Sequence, residues 1–372
     1  MKLDAVSTLS IVILTVIASS CTVSSSGDGV WADTGVDYIV DIGVVPRPPG
    51  HAGRDVGFSG MLRGRSVWIF GDTFLPKIAD DGLQWRSSSW SWTTDIASDD
   101  GIGPFKHALG QDGMAIQLLP HTSEETSYNI AHEGHENCTA KENCGSRHTP
   151  WPGALVVDRS ERNGIIFYLN MKTGPGGQWD FRSVSGSVAT WSDPDASANR
   201  VEPPLFAAEE PDWGAAAVLV DEDIYVYACA HNGSKKPCMV ARVPFNSAAD
   251  RDSYLFWAGN GRWSEDWRNA VPIFDGGSLF SVHYNAYLEK YLAFYMPGIA
   301  DEITLRTALL PQGPWSEPHS IGKSMRAHEN WNYALIAHPE FSRDNGRVEI
   351  LSYTRPSGFL EQETRLIELR FD

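Results

Sequence analysis

The sequence has no basic block, no Cys-x-x-Cys pair, and no segment that joins helix caps to a sustained 3.6-residue period. Each absence removes a class of protein. Without clustered lysine and arginine, and at a formal net charge of -17, a nucleic-acid partner is excluded. The missing cysteine motif removes a zinc ribbon or dithiol redox centre. His132-Glu133-Gly134-His135 sets its histidines three apart, so the zinc-helix spacing fails and a solvated loop is expected. Thr173-Gly174-Pro175-Gly176-Gly177 is not followed by the Lys and Ser or Thr of a phosphate loop. No cofactor and no metal is expected. An all-helical fold is excluded by the missing helical period.

The amino terminus carries one lysine and then a short, mostly apolar stretch from Val6 to Ala18, followed by Ser19-Ser20-Cys21. This reads as a signal peptide over 1–20 rather than a membrane span, with a polar tether over 21–32. Cys21 is either the lipid-modified first residue of a bacterial surface lipoprotein or lies near an ordinary cleavage site of a secreted protein. Ala18-Ser19-Ser20 resembles a lipobox without its usual leucine. A lipid anchor is the one membrane contact expected. The other four of the five cysteines fall into close pairs, Cys138 with Cys144 and Cys229 with Cys238. Both spacings can close small disulfide loops in an oxidising compartment.

The remaining chain, 33–372, is long enough to bury its own core as a monomer, and 42% of the full sequence is hydrophobic. Its organising stretch is Arg54 to Phe74. Two short strands, Val56 to Leu62 and Val67 to Phe70, flank a turn at Arg63-Gly64-Arg65. Asp55 precedes the first strand and Asp72 follows the second, so an antiparallel hairpin returns both acids to one rim. The same design recurs from Trp151, from Trp213, from Val282 and from Asn332. In each, a small-residue-rich inner strand, a polar turn and an aromatic-rich strand follow one another. Third strands are expected at Val184 to Trp191, Met239 to Pro244, Thr304 to Leu310 and Leu366 to Phe371. Val36 to Val45 belongs to the outside of either the first or the last unit. Ser342 to Gly346 reads as a hairpin turn. Five such units converging on an axis make an all-β, five-bladed β-propeller. The stretch 75–148 reads as a long insertion, with a loop-like but tryptophan-bearing segment from Trp85 to Asp100 and a strand over Gly113 to Leu119.

If the inner strands begin on one face, their first residues line one pocket. Those edges offer Asp55, Trp151, Asp212 with Trp213, His283 with Asn285, and Trp331 with Asn332. Tryptophan faces stack on sugar rings, while amides and carboxylates bond hydroxyls; paired carboxylates are the minimum machinery for cleaving a glycosidic bond. Asp55 is the expected base or nucleophile. Asp212 beside Trp213 is the expected acid, because burial against an indole favours the protonated form. Asp72 orients a catalytic partner or bonds a sugar. Each acid also has an ordinary reading as a turn residue bonding its own backbone. A polysaccharide is the expected substrate. A non-catalytic sugar-binding surface lipoprotein is the alternative, with a lyase or a structural envelope protein as a third reading.

Gly71-Asp72-Thr73-Phe74 after Val67 to Phe70 resembles the opening blade of DUF4185-type domains. So do Thr149 to Ala154, and the closing Asn332-Tyr333-Ala334 with His338-Pro339-Glu340. The resemblance spans about Asp33 to Asp372. It implies a five-bladed propeller related in shape to arabinanases and fructan-cleaving enzymes, in a family that includes endo-acting D-arabinanases of mycobacterial cell-wall arabinan. In arabinanase-like propellers an Asp on the first blade is the base and a Glu on the third is the acid. Asp55 matches the first by position; the third-blade edge offers Asp212, with Glu209 and Glu210 upstream.

Overall fold

A computed structural model describes residues 35–132, 138–140, 142–176, 180–230, 235–298, 301–326, 331–358 and 361–372. The expected signal peptide and tether, with Cys21, lie outside these residues, as do Glu133 to Asn137.

The described chain forms five antiparallel blades, of which the fifth and first are joined into one nine-stranded sheet by a single parallel pairing of Gln362 with Gly53. The first contains Gly53–Leu62, Arg65–Phe74, Ser89–Thr93 and Lys106–His107, with Trp85–Arg86 paired to the second strand. The second runs Arg147–Val157, Gly164–Thr173 and Phe181–Trp191, then Asn199–Arg200. The third is built on Ala216–Val220, Asp223–Cys229 and Pro237–Pro244. The fourth contains Ser281–Asn285, Lys290–Tyr295, Glu302–Ala308 and His319–Lys323. The fifth contains Tyr333–Ala337, Val348–Gly358 and Glu361–Phe371, and its outermost strand is Val36–Val44 from the beginning of the chain. The sequence left that strand between the first and last units; its pairing with Glu361–Phe371 assigns it to the last.

The inner strands touch one another in a closed ring, first to second to third to fourth to fifth and back to the first. Sheets placed radially can bury both faces only against their neighbours, and the core divides accordingly. Ile69 and Trp90 meet Ile166 and Trp191 between the first and second blades. Phe167 and Val188 meet Trp213 and Phe256 between the second and third. Tyr227 and Val240 meet Phe280 and Tyr295 between the third and fourth. Phe294 and Leu305 meet Leu351 and Leu369 between the fourth and fifth. Trp68 and Phe70 meet Ile350 and Leu366 where the ring closes. Each aliphatic or phenyl side chain so buried is worth about 1.5–3 kcal/mol.

The stretch expected as an insertion departs most from its reading. Within Trp85 to Asp100, Ser89–Thr93 is the third strand of the first blade and Trp85–Arg86 pairs with its second, while Thr94 to Asp100 is irregular. The third strand's serines are buried because each finds a partner: Ser89 meets Thr73 Oγ1 at 2.8 Å, and Ser91 accepts from Arg54 at 2.7 Å. The strand expected over Gly113 to Leu119 does not form. Gly113, at φ +79°, turns the chain, and a single bridge joins Leu109 to Ala115. A helix forms over Ser123–His132 where none was expected. Its capping box sits in Thr122-Ser123-Glu124-Glu125: the Glu125 N–H donates to Thr122 Oγ1 at 3.2 Å and the Thr122 N–H to Glu125 Oε2 at 2.9 Å. Both expected disulfides are present, Cys138–Cys144 and Cys229–Cys238.

Trp68 is fully buried and stacks on His338 of the fifth blade, 3.9 Å between ring centroids. Trp68→Ala is expected to cost about 3–5 kcal/mol in denaturant unfolding, the range for truncating a buried aromatic; a loss below about 1 kcal/mol would show that this interface contributes little to closure.

Candidate active site

Asp55 and Asp72 lie side by side at the face where inner strands begin and second strands end. Gly71 makes this approach feasible, because Asp55 Oδ1 would be 2.3 Å from any Cβ placed on it. The register between Gly53–Leu62 and Arg65–Phe74 breaks on both sides of Val56, which adopts φ +64°. A β-branched residue in the left-handed region is strained. Two threonines of the fifth blade hold it: the Val56 N–H donates to Thr354 Oγ1 at 2.8 Å, and Thr364 Oγ1 donates to the Val56 carbonyl at 3.3 Å. On the other side of Asp55, Arg54 is buried with its guanidinium 3.5 Å from the centroid of the Phe70 ring. Burial, with the nearby Arg47, pulls its pKa down to about 9. The carboxylate of Asp55 is therefore carried on backbone fixed from three directions.

Asp55 Oδ2 accepts a 2.8 Å hydrogen bond from the hydroxyl of Tyr333, the first residue of the fifth inner strand, while its Oδ1 is buried without a hydrogen-bond partner. Asp72 Oδ1 accepts from the indole N–H of Trp151 at 3.1 Å. Burial pushes both carboxyls above the usual carboxylate range. The charge of Asp55 raises Asp72 further; Arg147 and the indole groups oppose this. Tyr333 is the larger of the influences holding Asp55 down. Two close carboxyls that resist joint ionisation hold a proton between them near neutrality.

Aromatic pairs flank the acids. Trp151 meets Phe181 edge-on at 5.0 Å, and Trp331 stacks on Tyr333 at 5.0 Å and 27°. Arg147, beside Asp72, lies over the Trp85 ring at 3.9 Å. Tyr333, Arg147 and Phe181 were not singled out from the sequence. Phe181 was hidden because the third strand begins three residues before the expected Val184, while Arg147 opens a second-blade strand that starts four residues before Trp151.

The other expected site residues fall elsewhere. Asp212 is exposed, and Trp213, expected as a stacking surface, is a 1%-exposed core residue packed on Phe256. The third inner strand starts only at Ala216, which leaves the indole free to turn inward. Glu210 is committed to Arg251 at 2.7 Å. His283 and Asn285 are buried and both reach Glu349 Oε1, at 3.0 and 2.6 Å, in a polar contact between the fourth and fifth blades. Asn332 is buried, donating to Ser324 and to the Met325 carbonyl at 2.8 and 3.1 Å.

Fold and site together define a five-bladed propeller with an acid pair where its first inner strand begins. The chain belongs to the family described as "Domain of unknown function (DUF4185)", whose model matches residues 49–354. No curated protein matches it. Among solved structures it is similar to a family 117 glycoside hydrolase from the marine bacterium Zobellia galactanivorans, at 11% identity, TM-score 0.54 and 91% of each chain. A putative hydrolase from Bacteroides ovatus aligns at 15% identity and TM-score 0.53 over 87% of each chain. A GH43_1 enzyme from Xanthomonas citri complexed with xylotriose aligns at 10% identity and TM-score 0.51, over 88% of this chain and 89% of that one.

Because the two carboxyls keep protons to higher pH when folded than when unfolded, folding takes up protons. Stability therefore falls as pH rises from the unfolded value, roughly 3.9, through neutrality. Asp72→Asn is expected to flatten that fall and to gain about 1–3 kcal/mol at pH 8, each unit of pKa being worth about 1.4 kcal/mol. Parallel unfolding curves at pH 5 and pH 8 check it; an unchanged pH slope would contradict the raised carboxyls.

Proposed function

We propose that the protein is an exported glycoside hydrolase, carried out of the cell by its amino-terminal apolar segment and tethered at Cys21, that cleaves a polysaccharide, with endo-acting cleavage of arabinan as the leading substrate. The observation that carries this reading is the Asp55–Asp72 pair with both carboxyls pushed up by burial. The overall shape shared with glycoside hydrolases supports it, as does the aromatic lining.

In this reading the protonated member of the pair gives its proton to the glycosidic oxygen as the bond to the anomeric carbon breaks. The ionised member either attacks that carbon or takes a proton from the water that does. Asp72 is the acid, since burial and the neighbouring charge both favour its protonated form. Asp55 is the base or nucleophile, its negative charge steadied by the Tyr333 hydroxyl. This assignment differs from the one expected from the sequence, which gave the acid role to Asp212. Asp212 is exposed on the third blade, whereas Asp72 lies beside Asp55.

Asp55→Asn and Asp72→Asn are each expected to lower kcat about 10²–10⁴-fold on a panel of arabinans, xylans and galactans. Asp212→Asn is expected to lose less than either. Full activity in Asp55→Asn would end the hydrolase reading at this site. A loss in Asp212→Asn as large as that in Asp55→Asn would return the acid role to the third blade. Binding without cleavage by the unaltered protein would favour a sugar-binding module.

A further inference from the structure

A groove runs between the second and third blades, away from the axis. It consists of two cavities of about 650 and 420 Å³ that share Glu210, Trp267 and Arg268 in their walls. Strand polarity places its inner end on the face of the acid pair. Asp212 precedes an inner strand, Ala230 follows a second strand, and Ser183 lies near the start of a third; all three line the inner cavity. The same third strand begins at Phe181, whose ring packs against Trp151, the indole bonded to Asp72. A continuous path therefore leads from the acids across Trp151 and Phe181, past Ser183 and Ser185, into the groove and out to Trp267.

The walls have the chemistry of a sugar site rather than of a protein-docking face. Trp267 is partly buried against the core between the second and third blades while still lining the groove, with the Arg268 guanidinium 4.9 Å from its ring centroid. Glu210 and Arg251 form a 2.7 Å ion pair in the floor, where the glutamate is 8% exposed. Indole faces stack on the apolar face of a pyranose or furanose, and fixed ionic groups hydrogen-bond its hydroxyls. Charge narrows the ligand further. Among the described residues that line the groove, the acids Glu209, Glu210, Asp212, Asp252, Glu265 and Asp266 outnumber the cations Arg251 and Arg268. A wall with this excess of carboxylates repels uronate or sulfate groups.

We propose that this groove is a distal binding site for an uncharged polysaccharide, with Trp267 as its stacking platform, extending the site at Asp55 and Asp72. The proposal deepens the hydrolase reading, but its test is binding and needs no turnover. The native protein, Trp267→Ala, Ala208→Arg and Asp55→Asn are run in affinity electrophoresis through gels containing arabinan, xylan, β-1,3-galactan or agarose. Alginate and polygalacturonate serve as polyanions. At least one neutral polymer is expected to retard the native protein and neither polyanion to do so. Trp267→Ala should weaken that retardation at least tenfold. Ala208→Arg, which fills the groove from an exposed position without touching the core, should do the same. Asp55→Asn, tested for activity in parallel, reports separately on the hydrolase reading. Retardation by no neutral polymer, preferential retardation by a polyanion, or full retention of binding in Ala208→Arg would overturn the proposal.

Discussion

The site depends on the ring closing. Tyr333, which bonds Asp55, and Thr354 and Thr364, which hold the backbone beside it, all come from the fifth blade, at the opposite end of the chain from the first. They arrive there because the first strand of the described chain, Val36–Val44, pairs antiparallel with the last, Glu361–Phe371. Arg365 grips Asp41 across that seam with two bonds of 2.6 and 2.8 Å, both groups largely withdrawn from solvent. A bidentate pair of this kind fixes orientation as well as contributing energy. Closure and chemistry are thus one constraint: an open ring leaves Asp55 without its phenol and Val56 without its clamps.

The inner strands share a local device near the same face. Val56 and Ala334 occupy left-handed backbone at φ +64° and +54°, each immediately after a residue of the site, Asp55 and Tyr333. Gly214, at φ +114°, does the same in the third blade, and its carbonyl accepts from Ala154 of the second at 2.8 Å. Bulges of this sort end regular pairing and re-aim the next side chain. At Val56 and Ala334 they accompany breaks in register beside Asp55 and Tyr333, which bond each other, whereas Gly214 follows Trp213, whose indole lies in the core between the second and third blades. The fourth inner strand pairs without interruption along Ser281–Asn285, and its His283 and Asn285 stay in the blade interface.

What could be read from the residues was the repeat. Long inner and second strands alternate or run apolar over five or more residues, and glycine-bearing or acidic turns separate them, so the five hairpins and the propeller follow from pattern alone. Outer strands of two to five residues carry too little pattern, and the third strand of the first blade is masked by serines whose burial depends on Thr73 and Arg54, partners not visible locally. The Ser123–His132 helix shows its cap in Thr122 and Glu125 but has too few apolar residues for a period. At the site, the hairpin brought Asp55 and Asp72 to one rim, since that geometry is local. The inward turn of Trp213, the amide of Asn285 spent on Glu349, and the hydroxyl of Tyr333 aimed at Asp55 are set by neighbouring blades, and no spacing along the chain encodes them.

The kink at Val56 carries a consequence for how such a protein tolerates change. A glycine there would accept the dihedral angle freely, although it would also remove a buried side chain from the core between the first and second blades. The freed backbone would let the neighbouring carboxylate sample many orientations, diluting the one that faces its partner acid. The valine's stiffness works as a latch: it makes folding slightly harder so that the finished molecule has a single way to present its acid.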